Sequence, residues 1–579
     1  MSIEPSAVRP PSGWEALDDP EKDGWLIEAL ANVTQKRLNR IGELLHEPEE
    51  IGVDALLPMT VEETKAAVLT DADASAVLDD GLFVVRRASG EPVSSEFSGP
   101  HALREALIRF AAPLAGCAHP HFKAKIIRVS AADGKAVTKQ VVTLSGKVDG
   151  GMVEQRTVWT ILWVPGGDGR GPRIERITSD TLEVVKTRSA SGPLFSDCTE
   201  SVLAGNDCWE EQLVYGHNHW LMNLEENRGA EFIAYPGIAV GDANGDGLDD
   251  LYACQGIGLP NRLFLQQKDG SAWDVSAESG VDWLEDSRSA LLVDLDNDGD
   301  QDLAVAVIGA VVLAENDGTG RFQVAAVSEV DDDTMSLSAA DVDLDGDLDL
   351  YVCGYYEEFL QPKLSHFNDE EYSDFVYHDA NNGGRNVLLL NEGGWRFTDA
   401  TRSSGLGVNN TRYSFAGVFE DYDSDGDPDL YVANDYGRDA FYRNELAETG
   451  ELRFTYASDE AGADPGANGM AVTWGDPNRD GQMDVYVSNM WSSAGNRVTH
   501  SEKFKPGSKT ARERLQRFAK GNTLLENGGD GTFRDVSDQA DVTLGRWAWG
   551  SAFADINNDG WEDLVVANGY VTTEDTSDL

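Results

Sequence analysis

The 579-residue sequence predicts a mainly β protein, in which an N-terminal α+β domain precedes a β-propeller. Two observations lead to this prediction. An acidic, glycine-containing string recurs six times after residue 240, and short apolar runs typical of β-strands flank its copies. Before residue 190 no such string occurs, and helical patterns come first and strand patterns follow.

The composition excludes several classes of protein. The chain has 46 Lys and Arg against 102 Asp and Glu, a formal net charge of −56, and 41% hydrophobic residues. That apolar share supports packed cores, whereas the negative charge repels a phosphate backbone and argues against general nucleic-acid binding. No run of about 18 apolar residues predicts a membrane span. The first residues lack the layout of a secretion signal, so we expect either an internal protein or one whose signal was removed.

The first 190 residues predict the α+β domain. Helical patterns cover residues 24–45, 61–69 and 101–114, and strand patterns cover residues 122–129, 137–148, 155–164 and 173–185. Helices followed by a four-stranded antiparallel meander are typical of α+β domains. We therefore predict one domain over residues 1–190 and a second over residues 191–579.

The recurring string has the form Asp-x-[Asp/Asn]-x-[Asp/Asn]-Gly-x-x-Asp followed by an apolar residue. Its copies, loops I to VI, begin at residues 242, 294, 341, 421, 476 and 555. Calcium takes six to eight oxygen ligands, and alternate side chains of a tight loop point to one centre. Positions one, three, five and nine offer side-chain oxygens, position seven offers its backbone carbonyl, and glycine at position six permits the sharp turn.

The candidate calcium ligands follow from these positions. They are Asp242, Asn244, Asp246, Leu248 and Asp250; Asp294, Asp296, Asp298, Asp300 and Asp302; Asp341, Asp343, Asp345, Asp347 and Asp349; Asp421, Asp423, Asp425, Asp427 and Asp429; Asp476, Asn478, Asp480, Gln482 and Asp484; Asp555, Asn557, Asp559, Trp561 and Asp563.

The string also has two other interpretations. An EF-hand needs glutamate at position twelve, where this chain has only alanine or valine. An acidic surface turn explains a single copy, because Asp and Gly are common in turns. Six copies with several acids each would repel themselves without a cation, so the repeat predicts about six structural calcium ions.

Further repeated features predict a propeller blade. Several loops are followed by a strand, then by Asn-x-apolar-apolar-x-Asn, as in residues 386–391 and 522–527, and then by an aromatic-x-Asp ending such as Phe397-Thr-Asp-Ala-Thr. About four short strands in roughly 50 residues match one blade. A closed ring of such sheets protects their edges.

Residues 195–579 resemble the FG-GAP and VCBS calcium-loop repeats and are most similar to bacterial relatives of cartilage acidic protein. The features that carry this resemblance are the six loops, the Asn-containing strands and the aromatic-x-Asp endings. The resemblance implies an integrin-α-like propeller of six or seven blades, with seven favoured. It also implies structural calcium in hairpin loops, an extracellular or periplasmic location, and a role in binding or adhesion. Phe195-Ser-Asp-Cys-Thr matches the aromatic-x-Asp ending, so we expect it to join the last blade. The chain ends soon after its last repeat, and we expect a C-terminal truncation.

The N-terminal element order resembles the cone-shaped fold of the nuclear-transport-factor and ketosteroid-isomerase relatives. Such cones often contain a pocket or form dimers. The resemblance therefore leaves open a homodimer through residues 1–190.

Other candidate sites have competing interpretations. The pairs His119/His121 and His217/His219 suit a transition metal if they lie on strands, although ordinary hydrogen-bonded histidines are the commoner explanation. Cys198 and Cys208 are a candidate disulfide, with their redox state open. Asn434, Asn489 and Asn568, each followed by aromatic residues within two positions, suit either ligand recognition or turns that bond their own backbone.

Two insertions, each after the strand that follows a loop, are predicted to project from one face of the propeller. The first, around residues 357–377, is acidic and aromatic. The second, over residues 501–520, is basic and can dock an anionic glycan or partner, or lie against the protein's own acidic surface. Its cations are Lys503, Lys505, Lys509, Arg512, Arg514, Arg517 and Lys520.

The sequence thus predicts a calcium-stabilised binding protein for a glycan or protein ligand, recognised on the face that carries the insertions. The alternative is a metal-dependent enzyme for oxidation, hydrolysis or polysaccharide lysis, with the propeller as its scaffold. No nucleophile elbow, phosphate-binding glycine loop or zinc-protease helix motif is present to support catalysis.

Overall fold

The computed structural model describes residues 25–70, 74–88, 96–166, 171–188, 195–216, 219–220, 223, 236–330, 333–356 and 379–568. The protein is mainly β, with 42% strand against 18% helix. Its chain divides into two compact units. Unit 1 comprises Met1–Ser196 and Ser492–Gln516, and unit 2 comprises Asp197–Trp491 and Arg517–Leu579. None of the helices among the described residues has the length and apolar character needed to cross a bilayer.

Unit 1 contains one mixed sheet and the helices that cover it. Its helices are α1 (Leu26–Leu44), α2 (Val53–Leu56), α3 (Ala102–Ala111), α8 (Ser493–Thr499) and α9 (Lys509–Phe518), whose last two residues lie in unit 2. Its strands are β1 (Thr60–Ala67), β2 (Ser75–Asp79), β3 (Phe83–Arg87), β4 (Glu96–Ser98), β5 (His121–Ala132), β6 (Lys135–Val148), β7 (Gly151–Val164) and β8 (Arg173–Thr187).

The long strands form the antiparallel meander that the sequence predicts. The sheet order is β2-β3-β8-β7-β6-β5, and β1 pairs with β8 in parallel and with β4 in antiparallel orientation. Alternate residues of β7, including Trp159 and Trp163, are buried against apolar residues of α1 and α3. Phe110 of α3 contacts the Trp159 ring edge-on, with ring centroids 5.2 Å apart. One face of the meander therefore forms the core of unit 1.

One predicted helix of unit 1 is wrong. The helical pattern over residues 61–69 falls on strand β1, in which Ala66 pairs with Ile177 of β8. The local spacing of apolar residues suits a helix, but pairing with two neighbouring strands outweighs that weak preference. The short strands β2, β3 and β4 were not predicted from the sequence.

The segment Ser492–Gln516 belongs to unit 1, although the sequence places it between two strands of the repeat array. Arg497 of α8 donates hydrogen bonds to the Glu28 carboxylate of α1 and to the Ile126 carbonyl of β5, at 2.8 Å each. Arg128 of β5 donates in return to the Asn496 carbonyl at 3.1 Å. These contacts fasten α8 to the α1–β5 surface of unit 1.

Unit 2 consists of antiparallel sheets that follow one another along the chain, here sheets I to VI. They are β9 (Ile238–Gly241), β10 (Asp250–Ala253), β11 (Arg262–Gln266) and β12 (Ala272–Asp274); β13 (Ser287–Val293), β14 (Asp302–Val307), β15 (Ala310–Asn316) and β16 (Phe322–Glu329); β17 (Thr334–Ala340), β18 (Asp349–Gly354), β19 (Val387–Asn391) and β20 (Phe397–Asp399); β21 (Tyr413–Glu420), β22 (Asp429–Asp435), β23 (Ala440–Asn444) and β24 (Phe454–Tyr456); β25 (Gly469–Gly475), β26 (Asp484–Asn489), β27 (Thr523–Asn527) and β28 (Phe533–Asp535); β29 (Ala548–Ala554) and β30 (Asp563–Asn568).

Helix α4 (Thr199–Leu203) precedes the first of these strands, and the short helices α5 (Ser276–Ser279), α6 (Leu446–Thr449) and α7 (Ser458–Ala461) lie between consecutive strands. Each repeat loop joins the first and second strands of its sheet, as the hairpin-loop expectation requires. The second strands β14, β18, β22 and β26 are buried at every residue, and the first strand of each sheet lies beside the first strand of the next.

Asparagines at the ends of the third strands connect each sheet to the loop of the preceding one. Asn316 donates its side-chain amide to the Ala243 carbonyl of loop I at 2.8 Å. Asn391, Asn444 and Asn527 donate in the same way to the second residue of loops II, III and IV, at 2.8–3.0 Å. All four asparagines are buried. The second asparagine of the Asn-x-apolar-apolar-x-Asn pattern therefore joins neighbouring sheets.

The described residues of unit 2 contain five four-stranded sheets and one two-stranded sheet, so the number of blades stays a prediction. The segment of residues 195–199, expected to join the last blade, contributes no strand. Residues 195–198 form no strand, the Phe195 side chain is 65% exposed, and helix α4 begins at Thr199. This segment shares only a turn with the aromatic-x-Asp endings. The Thr199 N–H donates a hydrogen bond to Asp197, as the Ser276 N–H donates to Asp274 after strand β12.

We predict that Asn444→Ala destabilises unit 2 by about 1–3 kcal/mol, because buried carbonyls of Val342 and Pro428 lose their donor. Urea denaturation followed by fluorescence measures this free energy of unfolding. The control is Asn381→Ala, since Asn381 is exposed and its replacement should change stability by less than about 0.5 kcal/mol. Equal effects of the two substitutions would contradict the connecting role of Asn444.

Candidate metal centres

The first aspartate of each loop organises the backbone of that loop. In loop III, Asp341 accepts hydrogen bonds from the N–H groups of Asp345 and Gly346, both at 3.0 Å. The equivalent pair of bonds occurs in loops I, IV, V and VI, and loop II retains the bond from Gly299 to Asp294. The position-one carboxylate thus turns the loop back on itself and brings the acidic side chains together.

Two positions of each loop adopt a left-handed backbone. Position six is glycine in all six copies, with φ between +83° and +100°, as in Gly346 and Gly560. Position four also has positive φ, from +58° to +72°, although it is Gly only in loop I. The sequence indicates the first of these turns but not the second, because residues such as Leu344 and Arg479 give no compositional signal for positive φ.

The ninth aspartate is the first residue of the second strand and joins three parts of its sheet. Asp349 accepts one hydrogen bond from the Val342 N–H of its own loop at 3.0 Å, and one from the Asn391 N–H of the third strand at 2.8 Å. The first of these bonds also forms in loops I, II, IV and VI, and the second in sheets I, II, IV and V.

Burial makes these ninth aspartates hard to ionise in the absence of a counter-charge. It raises the pKa of Asp302 and of Asp484 to about 6, of Asp349 to about 7 and of Asp429 to about 9. Each of these side chains is at most 2% exposed. A bound cation beside the loop would compensate for the burial of such a charge.

Loops II, III and IV bring three carboxylates within reach of one ion. The clusters are Asp294 with Asp296 and Asp298, Asp341 with Asp343 and Asp349, and Asp421 with Asp423 and Asp425. In each cluster one oxygen per residue lies within 4.8 Å of the others. Three hard oxygen ligands in one turn suit a divalent cation such as calcium.

Loops II and IV contain buried carboxylate oxygens that have no hydrogen-bond donor in the described part of the chain. Among the described residues, Asp294 Oδ1 and Asp300 Oδ1 of loop II and Asp427 Oδ1 of loop IV are buried and have no hydrogen-bond partner. Burial and the charges of Asp298, Asp296 and Asp294 raise the pKa of Asp300 to about 6. An unpartnered carboxylate oxygen in an acidic loop is destabilising unless a cation accepts its lone pair.

Loops I, V and VI are less acidic. Asparagine occupies position three, and its side-chain oxygen accepts the position-five N–H at 2.8–3.0 Å, as Asn244 does in loop I. At position seven, Leu248, Gln482 and Trp561 offer only a backbone carbonyl or an amide to a cation, and the Trp561 ring contacts the Arg479 guanidinium at 4.9 Å from its centroid. These three loops contribute none of the three-carboxylate clusters among the described residues.

The histidine pairs are not brought together as metal sites. His119 lies in a bend and His121 begins β5, so the two do not share a strand, and both are exposed. His219 lies in a helical turn and stacks on Tyr215, with ring centroids 4.5 Å apart, while His217 lies outside the described residues. Neither pair belongs to a metal-binding cluster in the described part of the chain.

Cys198 is exposed and Cys208 is buried, and no disulfide joins this candidate pair in the structure. Burial and a hydrogen bond with Asp274 raise the pKa of Cys208 to about 12. A thiol in this environment is unreactive, so Cys208 packs beside sheet I as an apolar residue.

Of the three asparagines that precede aromatic residues, the two buried ones bond to the backbone. Asn434 and Asn489 are buried and donate to backbone carbonyls of Arg438 and Val487 at 2.9 and 3.0 Å. Asn568 is exposed, and the two residues after it lie outside the described residues. The backbone-bonding interpretation therefore holds for the first two.

Two cations of the basic insertion pair with acidic residues that follow it. Lys520 pairs with Asp538 at 2.8 Å, and Arg517 pairs with Asp535 at 3.9 Å, which agrees with contact to the protein's own acidic surface. Lys503, Lys505 and Lys509 are exposed, and Lys509 pairs with Glu513 within the insertion at 3.5 Å. The acidic insertion around residues 357–377 lies outside the described residues.

Three segments of the chain match the FG-GAP-like repeat, at residues 294–352, 421–487 and 516–566. The chain therefore contains FG-GAP-like repeats, which confirms the resemblance seen in the sequence. The first two segments each span two loops and the third spans loop VI. No curated protein matches the chain.

Solved structures with some likeness are all distant. The biofilm matrix protein Bap1 of V. cholerae is 13% identical with a TM-score of 0.27, over 52% of this chain and 38% of that one. An Agrocybe aegerita lectin specific for non-reducing terminal N-acetylglucosamine is 13% identical with a TM-score of 0.29, over 83% and 91%. A protein titled "Rd1NTF2_04 with long sheet" is 10% identical with a TM-score of 0.16, over 25% and 97%. Likenesses of this size do not extend to ligands, and the cone-shaped fold of the N-terminal domain stays a prediction.

We predict that Gly346→Ala destabilises the protein by about 1–2 kcal/mol, because alanine is strained at a φ of +100°. The control is Gly550→Ala in β29, where φ is ordinary. A Cβ at either position meets no atom within 4 Å, so the two substitutions differ only in backbone strain. Urea denaturation measures both. A destabilisation by Gly550→Ala as large as that by Gly346→Ala would refute the strain argument.

Proposed function

We propose that this chain is a calcium-stabilised β-propeller that binds a glycan or protein ligand outside the cytoplasm. The observation that carries the proposal is the set of acidic repeat loops with buried, unpartnered carboxylate oxygens. The FG-GAP-like repeats support a role in binding rather than catalysis. Residues 1–190 would form a separate domain, and residues 191–579 the propeller, apart from the segment Ser492–Gln516, which belongs to unit 1.

The propeller is the arrangement that best suits the sheets of unit 2. Consecutive four-stranded sheets with neighbouring first strands match blades around an axis. The asparagine bonds from each sheet to the preceding loop repeat from sheet II to sheet V, so one geometric step is repeated along the chain. Sheets that are each rotated by the same angle about a common axis close into a ring when these angles add up to a full turn. We favour seven blades over six.

Calcium is the cation that the donor set favours. The proposed ligands are carboxylates, amides and backbone carbonyls, which are hard oxygen donors, and the described loops contain no histidine or cysteine. Repeat loops of extracellular modules bind calcium with Kd values of about 10⁻⁴–10⁻³ M, so an exterior rich in calcium would fill them. Bound calcium would offset part of the net charge of −56.

We predict that removing calcium lowers the Tm of the protein. At about 10 mM calcium, each site with a Kd of about 1 mM contributes about 1.4 kcal/mol of stability. Scanning calorimetry in EGTA, in calcium, and in EGTA followed by excess calcium measures the effect and its reversal. Magnesium at equal concentration controls for ionic strength. An identical melting curve in EGTA and in calcium would overturn the structural-calcium proposal.

The ligand surface is proposed to include the basic insertion. Lys503, Lys505 and Lys509 are exposed cations in a strongly acidic protein, and a local positive surface of this kind attracts anionic partners. A sulfated or carboxylated polysaccharide and an acidic protein surface share the chemistry that these lysines recognise. Binding residues commonly lie on exposed segments that a rigid scaffold holds in place, and the position of these lysines on a long insertion fits that arrangement.

We predict that the triple substitution of Lys503, Lys505 and Lys509 by Glu weakens binding to heparin, used as an anionic polysaccharide probe, by about tenfold. Three surface charges at about 0.5 kcal/mol each give this factor. The matched control reverses the exposed residues Lys147, Lys186 and Lys268, which lie outside the insertion. Surface plasmon resonance at two salt concentrations measures the affinities. Equal loss in both triple variants would show that only net charge matters.

Two further expectations stay predictions. A metal-dependent enzyme would bind a stoichiometric transition metal, which elemental analysis of protein purified without chelator detects. A homodimer through residues 1–190 would give a mass that depends on concentration in analytical ultracentrifugation.

A further inference from the structure

The turn between the third and fourth strands of sheet IV is longer than in the other four-stranded sheets. In sheets I, II, III and V this turn closes with a backbone hydrogen bond across five residues, as from the Glu392 N–H to the Arg396 carbonyl. In sheet IV the equivalent bond runs from the Glu445 N–H to the Arg453 carbonyl at 2.8 Å, across nine residues. The four additional residues correspond in length to α6 (Leu446–Thr449), which therefore marks a local insertion.

The insertion contacts loop IV of its own sheet. The Ala447 N–H donates to Asp427 Oδ2 at 2.6 Å. The Glu448 carboxylate lies with those of Asp425 and Asp427 in a group whose ligand oxygens are all within 4.8 Å of one another. Asp425 also belongs to the loop's own cluster with Asp421 and Asp423. Loop IV is the only described loop that takes part in two such groups.

The hydrogen bonding of Asp427 indicates a ligand for the group of Asp425, Asp427 and Glu448. The Asp427 side chain is fully buried. One of its oxygens accepts the Ala447 N–H, and the other, Oδ1, has no hydrogen-bond partner among the described residues. A buried carboxylate oxygen without a donor is destabilising unless a cation coordinates it.

The charges around Asp427 lead to the same conclusion. In the described part of the chain, no Lys or Arg forms an ion pair with Asp421, Asp423, Asp425, Asp427 or Glu448. These five carboxylates carry −5 when ionised. One divalent ion reduces this charge to −3, and a second reduces it to −1.

We propose that Asp425, Asp427 and Glu448 form a second divalent-cation site, joined to the site of loop IV through the shared Asp425. The ligands are carboxylates, so the site takes a hard cation, calcium in the first place. The inference rests on the proposed calcium binding by the loops. It adds an ion that the nine-residue repeat does not encode, because Glu448 comes from the insertion.

Equilibrium dialysis of the full chain against calcium tests the proposal by counting bound ions. We expect Glu448→Gln to bind one ion fewer than the parent protein, and Asp425→Asn, which removes the shared ligand, to bind two fewer. The matched control is Glu451→Gln, which removes the same charge from an exposed residue three positions later and should bind as many ions as the parent. Circular dichroism checks that each variant is folded.

The outcomes distinguish the two proposals. A parent protein that binds no calcium overturns the proposed function and the second site with it. A parent that binds calcium, together with a Glu448→Gln variant that binds the same number, overturns only the second site. Because Glu448 is exposed and α6 contacts Asp427 through the Ala447 backbone, Glu448→Gln should leave the fold intact.

Discussion

The aspartate at the ninth position of each repeat loop is the constraint on which the rest of unit 2 depends. Asp349 shows both contacts. It is the first residue of the second strand, and its carboxylate accepts hydrogen bonds from the loop backbone and from the end of the third strand. The third-strand asparagine then donates to the preceding loop. A single buried carboxylate thus positions the loop, its own sheet and, through asparagine, the neighbouring sheet. Few substitutions are tolerated at such a position, because each of its hydrogen bonds serves a different element.

This arrangement places negative charge where water has little access. Burial raises the pKa of the ninth aspartates of loops I to V, and in loop II mutual repulsion contributes to the raised pKa of Asp300. The same carboxylates that direct the backbone therefore create the demand for a cation. The fold and the proposed metal binding depend on one set of residues, so the stability of unit 2 and its proposed calcium affinity should change together.

In unit 1, pairing with distant strands outweighs the local helical preference of the sequence. Strand β1 has a helical spacing of apolar residues but is held between β8 and β4. The segment Ser492–Gln516 lies within the repeat array in sequence and within unit 1 in space, where Arg497 contacts Glu28 and the Ile126 carbonyl. Contacts between residues more than 360 positions apart leave no periodic signal in the chain, which is why sequence patterns did not reveal them.

The sequence by itself determined the six loops, their glycine turns, their candidate ligands and the mainly β class, because these depend on residues at short, fixed separations. It also indicated the meander of unit 1 through alternating apolar residues. Only the tertiary structure decided that residues 195–198 form no strand, that Cys198 and Cys208 stay apart, and that Asn434 and Asn489 are buried. It alone brought Glu448 to loop IV. Each of these depends on which distant segments meet, and local spacing does not encode that.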